Sequence, residues 1–160
     1  MRKAVKVLVC LSAWLVFSGC GYALELSDTV EEWHCVKEYI VPLILDAGSE
    51  DLGRMVYRDY VRDFPKGTVQ IILSEGRGTG SLYVPESVRD SEGAMPAESG
   101  YRILSIAGRK SVLENRAYMP LALAVDAGDN VILTIETGSL TENEIVSFAE
   151  EILSSWRNTE

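Results

Sequence analysis

Two residue types that carry much of protein chemistry are scarce in this sequence, which has three cysteines and one histidine. Zinc sites of nitrogen and sulfur ligands need three or four such side chains, and a disulfide needs two thiols. Cys10 and Cys20 lie in the N-terminal segment discussed below, so Cys35 is the one thiol of the remaining chain if Cys20 is modified. We therefore expect no metal site, no cofactor and no intramolecular disulfide.

Basic residues are also few, with 15 lysines and arginines against 24 acidic residues and a formal charge of −9. Nucleic-acid binding depends on basic side chains that displace counterions from phosphates, so nucleic acid is excluded as a partner. The same charge opposes direct adhesion to anionic lipid. Since 47% of the residues are hydrophobic, one packed domain is expected rather than a disordered chain.

Long hydrophobic runs are limited to the first 23 residues. Arg2, Lys3 and Lys6 precede the apolar stretch Val7–Phe17, and small residues follow it. This order is typical of a secretory signal, and the stretch is shorter than the roughly 20 residues that a membrane-spanning helix needs. The segment holds three of the 15 basic residues and no acidic one, so its removal leaves 12 against 24 and a charge of −12.

Residues Phe17-Ser18-Gly19-Cys20 resemble the lipobox of bacterial lipoproteins, although leucine is usual where Phe17 stands. The resemblance implies that Cys20 becomes the lipid-modified first residue of an envelope protein, and Gly21 after it is compatible with outer-membrane sorting. The alternative is ordinary cleavage after Ala23, which would give a soluble periplasmic or secreted protein. We expect export in both cases.

The segment after the leader, residues 24–53, is predicted to hold a short helix and a connector. Asp28 and Glu31 have capping-box spacing, and Trp33, Val36 and Ile40 would share one helical face over residues 28–41. Pro42 would end this helix. Residues 43–53 are then expected to connect it to the main domain.

Residues 54–160 are predicted to form an α+β domain. Strands are expected at 54–62, 68–74, 82–84, 101–107, 112–114, 121–125 and 131–136, and residues 86–100 are expected to form a loop that acts as a lid. Thr141 and Glu144 form a second capping box, with a hydrophobic staple between Leu140 and Ile145. The apolar stripe of the helix they begin, through Trp156, would pack on one face of a largely antiparallel sheet of about seven strands in a meander.

This order of strands and a terminal helix, over roughly residues 54–156, looks like small envelope domains of the Mog1/PsbP-like type. The resemblance implies a binding or assembly role, as in many members of that group. No diagnostic motif supports it, so no functional residue is carried over.

Candidate catalytic groups are few. His34 and Cys35 are adjacent, so they cannot face each other on a regular helix. Gly76, Gly78 and Gly80 lack the lysine of a phosphate-binding loop and are expected to form a hairpin turn. Carboxylates occur close together without calcium-loop spacing at Glu50-Asp51, Asp59/Asp63 and Asp126/Asp129. Tyrosines and Trp33 could line a groove or lie half-buried in the core: Tyr57, Tyr60, Tyr83, Tyr101 and Tyr118.

The sequence therefore favours a non-enzymatic binding or assembly module, lipid-anchored through Cys20, for another protein or an apolar ligand. The ligand is expected between helix and sheet or under the 86–100 loop, in a groove lined by Tyr83, Tyr101, Phe148 and Trp156. Two alternatives stay open. One is a carboxylate-dependent hydrolase of the cell envelope. The other is a structural subunit, which an uncovered edge strand would reveal.

Overall fold

The computed structural model describes residues 26–45, 50–86 and 100–155. Cys20 with the leader, residues 87–99 of the predicted lid and Trp156 lie outside these ranges. The described chain forms eight strands and one helix: β1 (Thr29–Val30), β2 (Trp33–Leu45), β3 (Glu50–Arg62), β4 (Gly67–Glu75), β5 (Tyr101–Ile106), β6 (Arg109–Glu114), β7 (Leu121–Gly128), β8 (Val131–Thr137) and α1 (Glu142–Ser155).

The strands form one open antiparallel sheet in the order β1-β2-β3-β4-β8-β7-β6-β5. Two meanders, β1 to β4 and β5 to β8, meet where β4 pairs with β8. The α+β prediction of an antiparallel sheet with a C-terminal helix against it is confirmed, with eight strands in place of about seven. The predicted boundary at residues 53 and 54 falls inside β3.

Alternating burial in the central strands assigns the two faces of the sheet. In β8, Val131, Leu133 and Ile135 are buried, while the residues between them are half-buried. Strand β4 alternates in the same way, with Ile71 and Leu73 fully buried. Because strand side chains alternate between faces, one face packs into the core and the other is left open. We call these the covered face and the open face.

Helix α1 begins as predicted from its capping box. The Thr141 backbone N–H donates to Glu144 Oε2 at 2.8 Å, and the Glu144 N–H donates to Thr141 Oγ1 at 3.4 Å. The stripe that follows is buried against the covered face and comprises Ile145, Phe148, Ala149, Ile152 and Leu153. Leu140, before the cap, packs against the same core. The prediction that the apolar stripe of α1 packs on one face of the sheet is therefore confirmed.

An aromatic cluster joins the helix to the first strands. The Phe148 ring lies edge-on to Trp33, with centroids 5.7 Å apart, and edge-on to Tyr60 at 6.4 Å. All three side chains are buried. These contacts bring residues from β2, β3 and α1 into one core.

The predicted helix at residues 28–41 is wrong. The segment forms β1, a turn and most of β2, which pairs along its length with β3. Trp33 is buried, whereas Val36 and Ile40, expected on the same face, are 60% and 51% exposed. Pairing with the next strand, β3, overrides the local capping signal, since Tyr39, Ile40 and Val41 also suit a strand.

The predicted connector and one predicted strand are also wrong. Residues 43–45 and 50–53 extend β2 and β3, while residues 82–84 lie in a segment without strand structure. Strand β4 pairs with β3 and β8, so both of its sides are occupied and the predicted hairpin partner has no place beside it. The glycine segment instead turns over the end of β3, where the Gly78 N–H donates to Leu52 O at 2.8 Å.

Gly53 and Gly76 make that crossing possible. Both have positive φ, +123° and +112°, and a Cβ on Gly53 would stand 2.0 Å from Glu75 O. A side chain at either position would push the two segments apart. Gly53 and Gly76 therefore permit close backbone approach. Residues Gly76–Gly80 do not form the predicted hairpin, although the Thr79 N–H donates to Gly76 O at 3.1 Å in a tight turn.

Candidate binding groove on the open face

A groove of ≈ 320 Å³ crosses the open face above strands β4, β8, β7 and β6. Small side chains from three of these strands form most of its floor, beside Ile132 of β8: Ser74, Thr134, Ala122 and Ala124. Small residues in the middle of a sheet leave a depression when larger residues stand beside them. The depression therefore arises from small residues on the open face of strands whose covered face is tightly packed.

The walls of the groove are aromatic and aliphatic. Leu82 and Tyr83 come from the segment that follows the glycine turn, and Tyr101 and Val112 come from β5 and β6. Tyr83 lines the groove and is 75% exposed, so its ring is accessible to a ligand. An exposed aromatic ring beside a small-residue floor is suited to contact with an apolar or planar ligand.

Tyr101 is held in place by charged neighbours. Its hydroxyl donates to Glu114 Oε1 at 3.2 Å, the Arg116 guanidinium lies 5.4 Å from its ring centroid, and Arg116 forms an ion pair with Glu114. Burial, together with the negative charge of Glu114, raises the pKa of Tyr101 above its usual value. The hydroxyl therefore stays protonated at neutral pH and donates a hydrogen bond to Glu114. This bond holds the ring at the side of the groove.

A second depression of ≈ 500 Å³ lies on the same side, towards β2 and β3. Its lining includes Val36, Asp59, Gln70 and Pro120, and Glu136 borders both depressions. The Gln70 amide donates to Asp59 Oδ1 at 2.7 Å across paired strands. The open face thus combines apolar patches with carboxylates.

The structure brings together two of the four aromatic residues predicted to line a groove. Tyr83 and Tyr101 line the same depression. Phe148 does not, because it lies on the covered face, where only 4% of it is exposed. It borders a separate depression of ≈ 290 Å³ beside Trp33 at the edge of the helix. Trp156 and the lid residues 87–99 are outside the described ranges.

The remaining predicted aromatic residues serve different ends. Tyr57 stacks on Tyr39, with centroids 4.6 Å apart, and Tyr60 is buried with its hydroxyl bonded to Ser27 O at 2.6 Å. Tyr118 is fully exposed in the loop between β6 and β7. Tyr60 is therefore a core residue, which is the second of the two roles that the sequence allowed for the tyrosines.

His34 and Cys35 do not form a catalytic pair. They are neighbours on β2, so their side chains leave opposite faces of the strand. The free Cys35 thiol is half-buried and donates to Lys37 O at 3.5 Å.

Asp51 and Asp126, from two of the acidic pairs, bind nearby backbone N–H groups. Asp51 Oδ1 accepts the Gly53 N–H at 3.0 Å, and Asp126 Oδ1 accepts the Gly128 N–H at 3.0 Å. Such bonds stabilise turns and strand ends. In residues 26–45, 50–86 and 100–155, no group of three or more histidine, cysteine, aspartate or glutamate side chains could hold a metal ion.

One cluster that the sequence did not indicate lies on the covered side of β3. The Arg58 guanidinium forms ion pairs with Glu38 and, at 3.2 Å, with Asp28, and its Nη1 donates to Leu26 O at 2.6 Å. With the bond from Tyr60 to Ser27, these contacts fasten residues 26–28 to the sheet. No local pattern could have shown this, since the partners are about 30 residues apart in the chain.

Comparison with known proteins yields no match, whether to a family model, to a curated protein or to a solved structure. Within the part of the chain that the structure describes, no helix has the length and apolar character required to span a membrane.

Proposed function

We propose that the chain is an exported envelope protein, lipid-anchored through Cys20, whose domain binds a partner on the open face without catalysing a reaction. The leader pattern supports export. The open-face groove, with its small floor and its positioned Tyr101, is the observation that carries the binding role. A lipid anchor would also keep the domain close to the membrane, because Leu26 is six residues after Cys20 and that length of chain spans at most about 22 Å.

The anchor is tested by radiolabelled palmitate incorporation in the producing cell. Cys20→Ala should abolish labelling, whereas the matched variant Cys35→Ala should label as the parent does. Labelling that persists in Cys20→Ala would show that another residue is modified. No labelling of the parent would support cleavage after Ala23, because that cleavage removes Cys20.

The groove is tested with Nile red, an uncharged apolar dye that fluoresces on leaving water. Ala124 lies on the groove floor and Ala117 is exposed in a loop, so Ala124→Phe should fill the groove while Ala117→Phe should not. We expect dye fluorescence with the parent and Ala117→Phe, and a loss of at least fivefold with Ala124→Phe. Equal fluorescence in all three proteins would contradict an apolar binding groove.

A carboxylate-dependent hydrolase is the second candidate, because Glu114 and Glu136 line the same groove. Such enzymes place two carboxyl groups about 5–10 Å apart around the bond that they cleave. If the groove is catalytic, the parent should release reducing sugar ends from purified cell-wall glycan, and Glu136→Gln should lower that rate at least a hundredfold. No release by the parent would remove this candidate.

A further inference from the structure

The outer edge of β2 is a long exposed strand edge. Strand β1 covers only its beginning, by pairing Thr29 with His34 and Val30 with Trp33. The Cys35 N–H still donates to Asp28 O at 2.9 Å. Beyond Cys35, none of the strands in the described ranges pairs with this side of β2. The backbone N–H and C=O groups on this side of β2 therefore point away from the sheet, while those on the other side pair with β3.

This edge is also apolar. Every residue from Val36 to Pro42 is exposed, and four of them are large hydrophobic residues: Val36 at 60%, Tyr39 at 39%, Ile40 at 51% and Val41 at 41%. They leave both faces of the strand, because Tyr39 and Val41 alternate with Ile40. Isolated exposed apolar residues are ordinary, but a run of them on an open strand edge is a template for another strand.

The exposed segment is regular. Its pairing with β3 is uninterrupted from Lys37, opposite Asp59, to Pro42, opposite Arg54, and register shifts lie only at its two ends. Six residues give a straight edge about 20 Å long, which is the length of an ordinary strand. On the covered side, Ile40 borders a depression of ≈ 360 Å³ with Leu26 and Val56, where an added strand could place a side chain. Charged residues complete the lining of this depression: Asp28, Glu38, Arg54 and Arg58.

The opposite edge of the sheet lacks these properties. Strand β5 has six residues, and Ile103 and Ile106 in it are 3% and 1% exposed. The two free edges therefore have similar lengths and differ in the burial of their apolar side chains. Only the edge at β2 combines a free backbone with exposed apolar side chains in the described part of the chain.

We propose that the edge of β2 from Lys37 to Pro42 receives an extended apolar segment of another protein, which pairs with it as a ninth strand. This deepens the proposed binding function, because it names the class of partner, and it uses a surface separate from the groove. Main-chain hydrogen bonds to the edge supply affinity, and the apolar side chains on each face of β2 select alternating apolar residues in the partner.

Area and charge favour a partner segment over a second copy of this chain. An edge footprint of about 20 by 10 Å is far below the roughly 800 Å² per partner that a stable dimer buries. Lys37 and Glu38 cancel within the segment, whereas the rest of the processed chain is strongly acidic. Two copies would therefore repel each other, while a neutral extended segment would not.

The test uses a fluorescein-labelled peptide of alternating valine and threonine, and the same peptide with N-methyl groups on alternate residues. Methylation removes main-chain donors while it retains the side chains. Fluorescence anisotropy with the whole protein should show binding of the first peptide only. In addition, the backbone amides of β2 should exchange hydrogen more slowly when the first peptide is bound.

Two matched variants locate the site. Ile40 is 51% exposed on the edge and Met119 is 52% exposed in the loop between β6 and β7. Ile40→Lys should weaken peptide binding at least tenfold, and Met119→Lys should leave it within twofold of the parent. If Ile40→Lys alters the urea midpoint, Val41→Lys replaces it.

Three results would overturn the proposal: no binding of the unmethylated peptide, equal binding of the methylated one, or equal weakening by both variants. Sedimentation equilibrium tests whether a second copy of the chain occupies the edge. A dimer in the parent that Ile40→Lys dissociates would mean that a second copy occupies the edge. Loss of peptide binding with intact dye binding, or the reverse, separates failure at the edge from failure at the groove.

Discussion

The two faces of the sheet are made by the same strands and differ in almost every physical property. The covered face presents aliphatic residues of β4, β7 and β8 to a helix, and Trp33, Tyr60 and Phe148 meet there. The open face places alanine, serine and threonine between tyrosines and carboxylates. Period-two alternation thus lets one set of residues provide stability while the other provides a surface for recognition.

The largest effect should come from removing a core aromatic residue. Phe148→Ala should lower the free energy of unfolding by about 3–5 kcal/mol, because it leaves a cavity beside Trp33 and Tyr60. Tyr83→Ala, on the open face, should change it by less than about 0.5 kcal/mol. Urea denaturation measures both. Similar losses in the two variants would mean that the open face is also part of the stabilising core.

A smaller effect should separate two tyrosines of β3 that leave opposite faces. Tyr60→Phe leaves Ser27 O without its donor and should cost about 1–2 kcal/mol, with faster hydrogen exchange at residues 26–30. The Tyr57 hydroxyl has only a 3.7 Å contact with Met55 Sδ, so Tyr57→Phe should cost less than about 0.5 kcal/mol. If Tyr60→Phe had no effect on exchange, the N-terminal fastening would be discounted.

The smallest effect concerns acidity at the covered side. Burial, with the hydrogen-bonded Glu31, raises the pKa of Glu151 above its usual value of 4.5. Protons therefore bind more tightly to the folded state, and this contribution to stability is present below pH 4.5 and is lost as pH rises through the folded-state pKa. Urea denaturation of the parent and Glu151→Gln at several pH values should show that the stability of the parent relative to the variant falls as pH rises through the folded-state pKa of Glu151.

Glu144 supplies a control of opposite sign. Hydrogen bonds from the Thr141 backbone N–H and hydroxyl lower the pKa of Glu144 below its usual value. Its contribution is present above pH 4.5 and is lost as pH falls through the lowered pKa. The stability of the parent relative to Glu144→Gln should therefore fall as pH falls. A shared direction in the two variants would contradict the assigned causes.

Local signals predicted the covered face better than the open one. The capping box at Thr141 and the apolar stripe identified α1, and the strand predicted at residues 131–136 coincides with β8. Asp28 and Glu31 gave an equally good local signal for a helix that does not exist, because pairing of β2 with β3 decides the structure there. Local capping and long-range pairing compete, and only the first is visible in a short window of sequence.

The groove was half predicted for a related reason. Tyr83 and Tyr101 were identified as candidates, but residue type does not show which face of a sheet a side chain leaves. Phe148 was therefore grouped with them although it lies on the covered face. The exposed edge of β2 was beyond reach from sequence, because a segment interpreted as a helix has no strand edge.

The junction of the two meanders has a consequence for how the molecule is made. Strand β4 ends at Glu75 and its partner β8 begins at Val131, so the middle of the sheet closes only when distant parts of the chain meet. A polypeptide threaded N-terminus first through a narrow pore would expose β4 until nearly all of it had emerged. Such a topology folds slowly. If the chain is exported as we propose, slow closure of the sheet would leave the polypeptide unfolded during passage, and the sheet would assemble after it.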